Sequence, residues 1–323
     1  MKTVPVMTCC ALFLLSSARG ISEQCKIHGT NAISCHCIGD EEFSLPDWYN
    51  YENVTSLRIA SCSFANLHFS SLTEASQIAE IVVQNISERL IFELFLTTTK
   101  MKRLRRIPLI THDTFVSLRS IETVRIEDTR IGDFKERFTD ISINDFTMIN
   151  VTIDRIDELN FSEKGETLRI RNTELQNVEG SLNFVYFSTV EMFRSNFRLK
   201  KPGYVLIEGD VVYMENCVFS NSSANVVATD SIKINGTCAD GKSSLRLSSN
   251  NIVSTNNRLP TEIIYTRNRL ESTEGLLSRN NTVCIAGNCN CEYPKSSGQM
   301  ATGTFYNILF QSLLQISLVT IYF

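Results

Sequence analysis

A short apolar motif returns along most of this chain and limits what it can fold into. Two apolar residues flank one variable residue. A small polar residue follows three positions on, then another apolar one. The clearest copy runs from Phe115 through Leu118, Ile121, Val124, Ile126, Thr129 and Ile131 to Phe134. Other copies centre on Leu57/Ile59 with Cys62, Ile149/Val151 with Asp154, Leu168/Ile170 with Thr173, and Val190/Met192 with Ser195. Further ones centre on Val212/Met214 with Cys217, Ile232/Ile234 with Thr237, and Leu245/Leu247 with Asn250. Fainter copies sit at Ile81/Val83 and Ile107/Leu109. The spacing wanders around about 21 residues, a period typical of stacked repeats. Apolar residues two apart point to one face of a strand. A single unit of this kind cannot bury its apolar face alone, so the units must stack. The pattern predicts a β-rich solenoid with a parallel sheet along one side. In it, the small polar residue bonds the backbone where the chain leaves the strand.

The spacing resembles the leucine-rich-repeat family, whose unit is L-x-x-L-x-L-x-x-N/C-x-L. The resemblance covers residues 54–255 and is strongest over 115–134. Asn fills the turn position only at Asn250, and the repeat length varies, so a right-handed parallel β-helix remains the alternative. The resemblance implies that residues between the paired anchors line a concave ligand face. That column reads Arg58, Arg125, Asn150, Arg169, Glu191, Tyr213, Lys233 and Arg246. Its arginines suit acidic partners, although exposed strand positions carry long charged side chains in any case. The resemblance also implies a disulfide cap from Cys25, Cys35, Cys37 and Cys62, and a closing cap that includes Cys284, Cys289 and Cys291.

The two ends carry targeting signals. Lys2, an apolar run and the small residues Ser16 to Gly20 form a secretory signal peptide over 1–20. Residues 305–323 are apolar and uncharged, and follow a polar spacer and the small residues Ser296, Ser297 and Gly298. That order matches a glycosylphosphatidylinositol (GPI) attachment signal over 296–323, with Ser296 the expected site. A transmembrane helix is the rival, but Asn307, Gln311 and Gln315 would place a polar stripe in lipid. The expected organisation is a cysteine cap over 21–53, solenoid over 54–272 and a C-terminal cysteine segment over 273–295.

The chain between these ends reads as extracellular. Two of the 11 cysteines leave with the signal peptide, and the odd remainder suggests disulfides plus a free or intermolecular thiol. Pairing among Cys25, Cys35, Cys37 and Cys62 is expected, in any of three connectivities. Cys217 and Cys238, one repeat apart, are candidates for a bridge between coils. Cys35-His36-Cys37 is a weak zinc signal, since no second pair matches it. Sequons stand at Asn53, Asn85, Asn150, Asn160, Asn221, Asn235 and Asn280. A basic run, Lys100, Lys102, Arg103, Arg105 and Arg106, is a solvated face, a site for a heparan-like polyanion, or a convertase cleavage site.

Chemistry motifs are scarce. The histidines are His28, His36, His68 and His112, and none is spaced for catalysis with Cys, Ser, Asp or Glu. No P-loop, G-x-S-x-G, H-E-x-x-H or EF-hand loop occurs. Asp154, Asp157 and Glu158 are the acids a β-helix polysaccharide enzyme would need, and they read better as solvated loop residues. A net charge of −4 argues against nucleic acid. The expected protein is a cell-surface, GPI-anchored binding protein, not an enzyme, with no cofactor or metal. Its partner would be an extracellular protein or glycan, its role adhesion, co-reception or matrix contact. A secreted polysaccharide-acting enzyme and a structural coat protein are the alternatives.

Overall fold

The computed structural model describes residues 25–29, 31–37, 42–44, 53–68, 80–93, 101–105, 109–110, 120–139, 141–260, 263–266, 276–284 and 291. Among them every regular element is a β-strand. The molecule is a β-solenoid, as the apolar repeat requires.

One parallel ladder runs the length of the stack. It passes through Ala32–His36, Ser56–Ala60, Glu80–Gln84, Met101–Arg105, Ser120–Ile131, Ser142–Ile153, Gly165–Arg171 and Phe187–Phe193. It continues through the ends of the long strands Asn196–Glu215 and Val218–Asn235, then Asn251–Thr255 and Leu276–Arg279. We call this the first face. The later coils add a second face, with Glu174–Val178, Cys238–Ala239, Arg258–Pro260 and Thr282–Cys284. A third face holds Leu182–Phe184, Ser244–Ser248 and Ile263–Thr266. Asn196–Glu215 and Val218–Asn235 turn through all three. Three strand segments per coil, as in these later coils, is the arrangement of a parallel β-helix.

Pairing on the first face stacks like on like. Val124/Ile126, Phe146/Met148, Leu168/Ile170, Val190/Met192, Val212/Met214 and Ile232/Ile234 lie in register and are all buried. Burying each such aliphatic side chain contributes about 1.5–3 kcal/mol. Aromatic rings fill the wider parts of the interior. Phe138 stacks on Phe161 at 5.5 Å between centroids, and Phe197 on Phe219 at 5.1 Å.

The register corrects three anchors. Phe146/Met148, not Ile149/Val151, continues the pair of the preceding coil. Leu104, not Leu109, is in line with Val83 and Ile126; Leu109 pairs with Asp133 in a separate two-stranded sheet. Leu245/Leu247 belongs to the third face, in line with Ala224/Val226, whereas Ile252/Ser254 continues Ile232/Ile234. With these changes the uneven spacing becomes nearly regular. The solenoid also begins earlier than residue 54, because Ala32–His36 is already a rung.

The reason for the misreading is a backbone turn. Two residues after the second anchor the chain takes positive φ: Ser61, Asn85, Asp128, Asn150, Asn172, Arg194, Asn216, Gly236, Asn256 and Asn280. This left-handed residue breaks the alternation of the strand. At Ser142–Ile153, Met148 points in, Ile149 is partly exposed, Asn150 has φ 54° and Val151 is again buried. Asn tolerates this conformation better than other residues with a Cβ. Gly236 takes the same turn with φ 60° and no strain, and an added Cβ there would press the Asn216 side-chain oxygen aside.

The residue after the turn points inward and supplies a second ladder. Ser195 Oγ accepts the Thr173 N–H at 3.2 Å, Thr237 Oγ1 accepts that of Cys217 at 3.4 Å, and Asn257 Oδ1 accepts that of Thr237 at 2.8 Å. Asn281 Oδ1 accepts the Asn257 N–H at 2.9 Å. Asn257 Nδ2 donates to the Ile234 carbonyl at 3.2 Å. The small polar residue of the repeat therefore bonds backbone at the turn, as the sequence predicts.

Asn257 is 1% exposed. Asn257→Leu keeps the volume but leaves the Thr237 N–H buried without an acceptor. Such a group costs about 1–3 kcal/mol. The urea midpoint should fall accordingly, and an unchanged midpoint would show that the inner ladder contributes nothing.

Candidate functional site

The outward side of the first face holds most of the expected ligand column. Arg125, Thr147, Arg169, Glu191, Tyr213 and Lys233 lie in register on successive rungs. Arg58 stands further along the same ladder, in line with Ser34 and Val82. Two residues leave the column. Asn150 sits at the turn, and Thr147 takes its place. Arg246 belongs to the third face, in line with Asn225 and Ile264. Both departures follow from the corrected anchors, since a shift along the chain moves a side chain to another face.

The column is not a row of unpaired arginines. Arg125 Nε donates to Glu127, whose side chain is 4% exposed. Arg169 Nε donates to Glu191 Oε2 at 2.5 Å, and Arg171 Nη2 reaches the same oxygen at 3.3 Å. The Arg171 guanidinium also lies 4.9 Å from the centroid of the Phe193 ring. The hydrogen bond from Arg169 holds the Glu191 carboxyl below its usual range, against the opposing effect of burial. Tyr213, one rung before Lys233, remains 39% exposed. Ion pairs between coils also line both edges of the second face: Arg130 with Asp154 and Arg155 with Asp133 at its start, Arg137 with Glu158 and Lys200 with Glu179 beyond its end. Asp154 and Glu158, the acids of the enzyme alternative, are thus engaged in surface pairs.

The sequons divide by position. Asn85, Asn150 and Asn280 occupy the left-handed turn beside the first face, and Asn221 occupies a turn at the other edge of the second face. Asn150 is a link in a side-chain ladder, donating to Asp128 Oδ1 at 2.9 Å and accepting from Asn172 at 3.1 Å. Asn235 stands on the first face itself, in line with Glu215 and Thr255. Asn53 is exposed, and Asn160 is partly exposed and accepts a hydrogen bond from Asn183.

Cysteine pairing is as expected at the N-terminal end and different further on. Cys25 joins Cys35 and Cys37 joins Cys62, closing the hairpin of Cys25–His28 and Ala32–His36 onto the next coil. Cys217 and Cys238 are not bridged. Cys238 joins Cys291, and Cys217 is a buried free thiol. The cause is register: Cys238 is in line with Val218 on the outward side of the second face, while Cys217 occupies the inner ladder. Cys217 stands where neighbouring coils place Ser195 and Thr237, and its Sγ lies 3.4 Å from the Met192 carbonyl. Cys284 ends the last strand; Cys289 and Ser296 lie outside the described residues, as do the signal peptide and the tail.

The basic run is a rung. Arg103, Leu104 and Arg105 fall in Met101–Arg105, a strand paired on both sides. Lys100 and Arg106 lie outside the described residues. A convertase would have to peel this strand from the sheet. Among the described residues no cluster of His, Cys, Asp and Glu is arranged to hold a metal, and Cys35 and Cys37 are committed to disulfides. The signal that sequence reading missed is the turn residue itself, visible in the sequence as Asn85, Asn150, Asn172, Asn216, Asn256 and Asn280 two positions past each second anchor.

No family model matches this chain, and neither a curated protein nor a solved structure is significantly similar to it.

Two outcomes are expected. Burial pushes the Cys217 thiol up to about 12, so it stays protonated near neutral pH and unreactive. Iodoacetamide at pH 8 should label the peptide holding Cys217 only after unfolding; labelling of the folded protein would contradict its place in the core. Glu191→Gln should destabilise the fold at pH 7 by less than about 1 kcal/mol, as expected of a pair this exposed, read as a small fall in melting temperature. The folded pKa of Glu191 lies below its unfolded value, so the stabilisation is present above the unfolded pKa and lost as pH falls through the folded one. The gap between variant and wild type should therefore close in acid, and a gap that persists at pH 2 would point to packing instead.

Proposed function

We propose that this is an extracellular binding protein, held on the cell surface by a GPI anchor at Ser296, with the first face as its ligand surface. The carrying observation is the set of disulfides Cys25–Cys35, Cys37–Cys62 and Cys238–Cys291. Such bonds form and persist in the secretory pathway or outside the cell. The remaining support comes from the sequence: a secretory signal over 1–20, sequons along the solenoid, and small residues, spacer and apolar tail in the order of an attachment signal. No described helix is long and apolar enough to cross a membrane.

Binding is favoured over catalysis by the character of the surface. Its charged groups are spread along rungs and tied to one another across coils. A hydrolase would instead need paired acids set apart from such neutralising partners. The spacing of the repeat supports kinship with leucine-rich-repeat proteins, and a repeating face suits an extended protein or glycan partner. Adhesion, co-reception and matrix contact all use that geometry.

Phosphatidylinositol-specific phospholipase C should release the protein from intact cells. Retention on the cells, with residues 305–323 recovered by mass spectrometry while a GPI-anchored control is shed, would replace the lipid anchor with a spanning helix. Non-reducing peptide mapping of the released protein should recover the three disulfides.

A further inference from the structure

Two neighbouring groups on the first face have no role in holding the stack together: the ring of Tyr213 and the amide nitrogen of Asn235. Val212/Met214 and Ile232/Ile234 point inward on adjacent rungs, so Tyr213, Lys233 and Asn235 point outward. Asn235 is in line with Glu215 on one side and Thr255 on the other. Its Oδ1 accepts from Thr255 Oγ1 at 3.0 Å and from Asn256 Nδ2 at 2.9 Å. Both donors belong to the next coil, so they fix the plane of the amide. Its Nδ2 diverges from that oxygen, and among the described residues nothing accepts from it. Other sequon amides are used differently. Asn150 Nδ2 donates to Asp128 Oδ1 at 2.9 Å, and Asn221 Nδ2 to the Leu199 carbonyl at 3.1 Å.

We propose that Asn235 carries an N-linked oligosaccharide whose first sugar lies over the Tyr213 ring, so that the ligand surface of the first face ends before this coil. The inference rests on reading the chain as extracellular and the first face as a ligand surface, and not on the anchor. Asn235-Gly236-Thr237 has the acceptor pattern. In the transfer, Nδ2 attacks C1 of an oligosaccharide carried on a polyprenyl diphosphate. The Nδ2–C1 bond forms, the C1–O bond to the diphosphate breaks, and Nδ2 gives up one of its two protons. The side-chain oxygen is untouched, so the bonds from Thr255 and Asn256 survive. Timing follows from Thr237. Its side chain is fully buried, and its hydroxyl accepts the Cys217 N–H. A transferase therefore reads the pattern before this coil closes, and the folded stack must house the sugar afterwards.

The surroundings of Asn235 suit that task. Tyr213 pairs with Lys233, so Asn235 lies one rung and two residues from Tyr213. With about 4.8 Å between rungs and about 3.3 Å per residue, their Cα atoms are about 8 Å apart. A pyranose bonded to Nδ2 spans that gap. The exposed tyrosine offers it a large apolar face beside a polar tip. Phe193 lies two rungs before Asn235 in the same column, but the Arg171 guanidinium already covers its ring. Tyr213 is thus the ring left open on this stretch. Thr147, Arg169 and Glu191, on the rungs before Tyr213, remain as the ligand surface.

The test uses the full chain, made in cells with a secretory pathway and extracted in detergent. Peptide N-glycosidase in heavy-oxygen water converts each glycan-bearing Asn to labelled Asp. Mass spectrometry should find that label at Asn235, and only when the enzyme is present, which separates it from spontaneous deamidation at Asn235-Gly236. Hydroxyl-radical footprinting then reads the ring. Asn235→Asp keeps the oxygen that Thr255 and Asn256 donate to and removes the sugar-bearing nitrogen. Its Tyr213 should oxidise several-fold faster than that of the wild type, with an unchanged circular dichroism spectrum. Equal oxidation rates would overturn the packing of sugar on ring. The mapping uses the wild type alone and decides the attachment even if the variant misfolds. Label at Asn53 or another sequon with none at Asn235 would overturn this inference and leave the extracellular reading standing. No label at any sequon would overturn both.

Discussion

The left-handed residue at the first corner is the constraint on which the rest of this molecule depends. A strand continues straight unless its backbone is turned, and a solenoid must turn at the same place on every coil. Here the turn comes two residues after the second buried anchor, at a residue with φ between 47° and 60° from Ser61 to Asn280. Positive φ costs most residues about 1–2 kcal/mol, and Asn least among those with a Cβ. Stacking converts that cost into gain. Once Asn150 and Asn172 are on adjacent coils, their amides bond each other at 3.1 Å. The same turn sends the following residue inward. Ser195, Thr237, Asn257 and Asn281 then accept the backbone N–H groups that the corner leaves without strand partners, those of Thr173, Cys217, Thr237 and Asn257.

This dependence explains what the sequence disclosed and what it hid. The buried pairs are legible wherever a strand stands alone, as at Leu168/Ile170 or Val212/Met214. The solenoid follows from them, because a period-2 pattern returning about every 21 residues has no other way to bury its apolar side. Register is lost where a strand runs on through the corner. In Ser142–Ile153, apolar residues lie on both sides of Asn150, so Ile149/Val151 imitates the true pair Phe146/Met148. In Met101–Arg105 the anchor Leu104 is hidden between arginines, and the rung reads as a charge run. Each slip then misplaces an outward residue, which is how Asn150 and Arg246 enter a column they do not occupy.

The cysteines show the same logic on a finer scale. Cys217 and Cys238 are separated by nearly one coil, which invites a bridge between neighbours. One position of offset puts them on opposite sides of the backbone. Cys217 serves the inner ladder in place of a hydroxyl, and Cys238 faces outward and takes Cys291. No reading of spacing alone could distinguish these roles, because the distinction lies in which residue follows the left-handed turn. The N-terminal cysteines were easier to pair among themselves, since Cys25, Cys35, Cys37 and Cys62 all fall on the first hairpin and the coil beside it.

A solenoid of this kind separates the demands of folding from those of recognition. Inward positions are held by packing and by the turn ladder, and they tolerate few residue types. Outward positions on the first face carry no such duty, so their chemistry varies from coil to coil: Arg58 and Arg125 toward one end, Thr147 and Arg169 between, Glu191, Tyr213 and Lys233 toward the other. Where opposite charges meet across coils, as at Arg169 and Glu191, the pair neutralises itself and adds little to stability at such exposure.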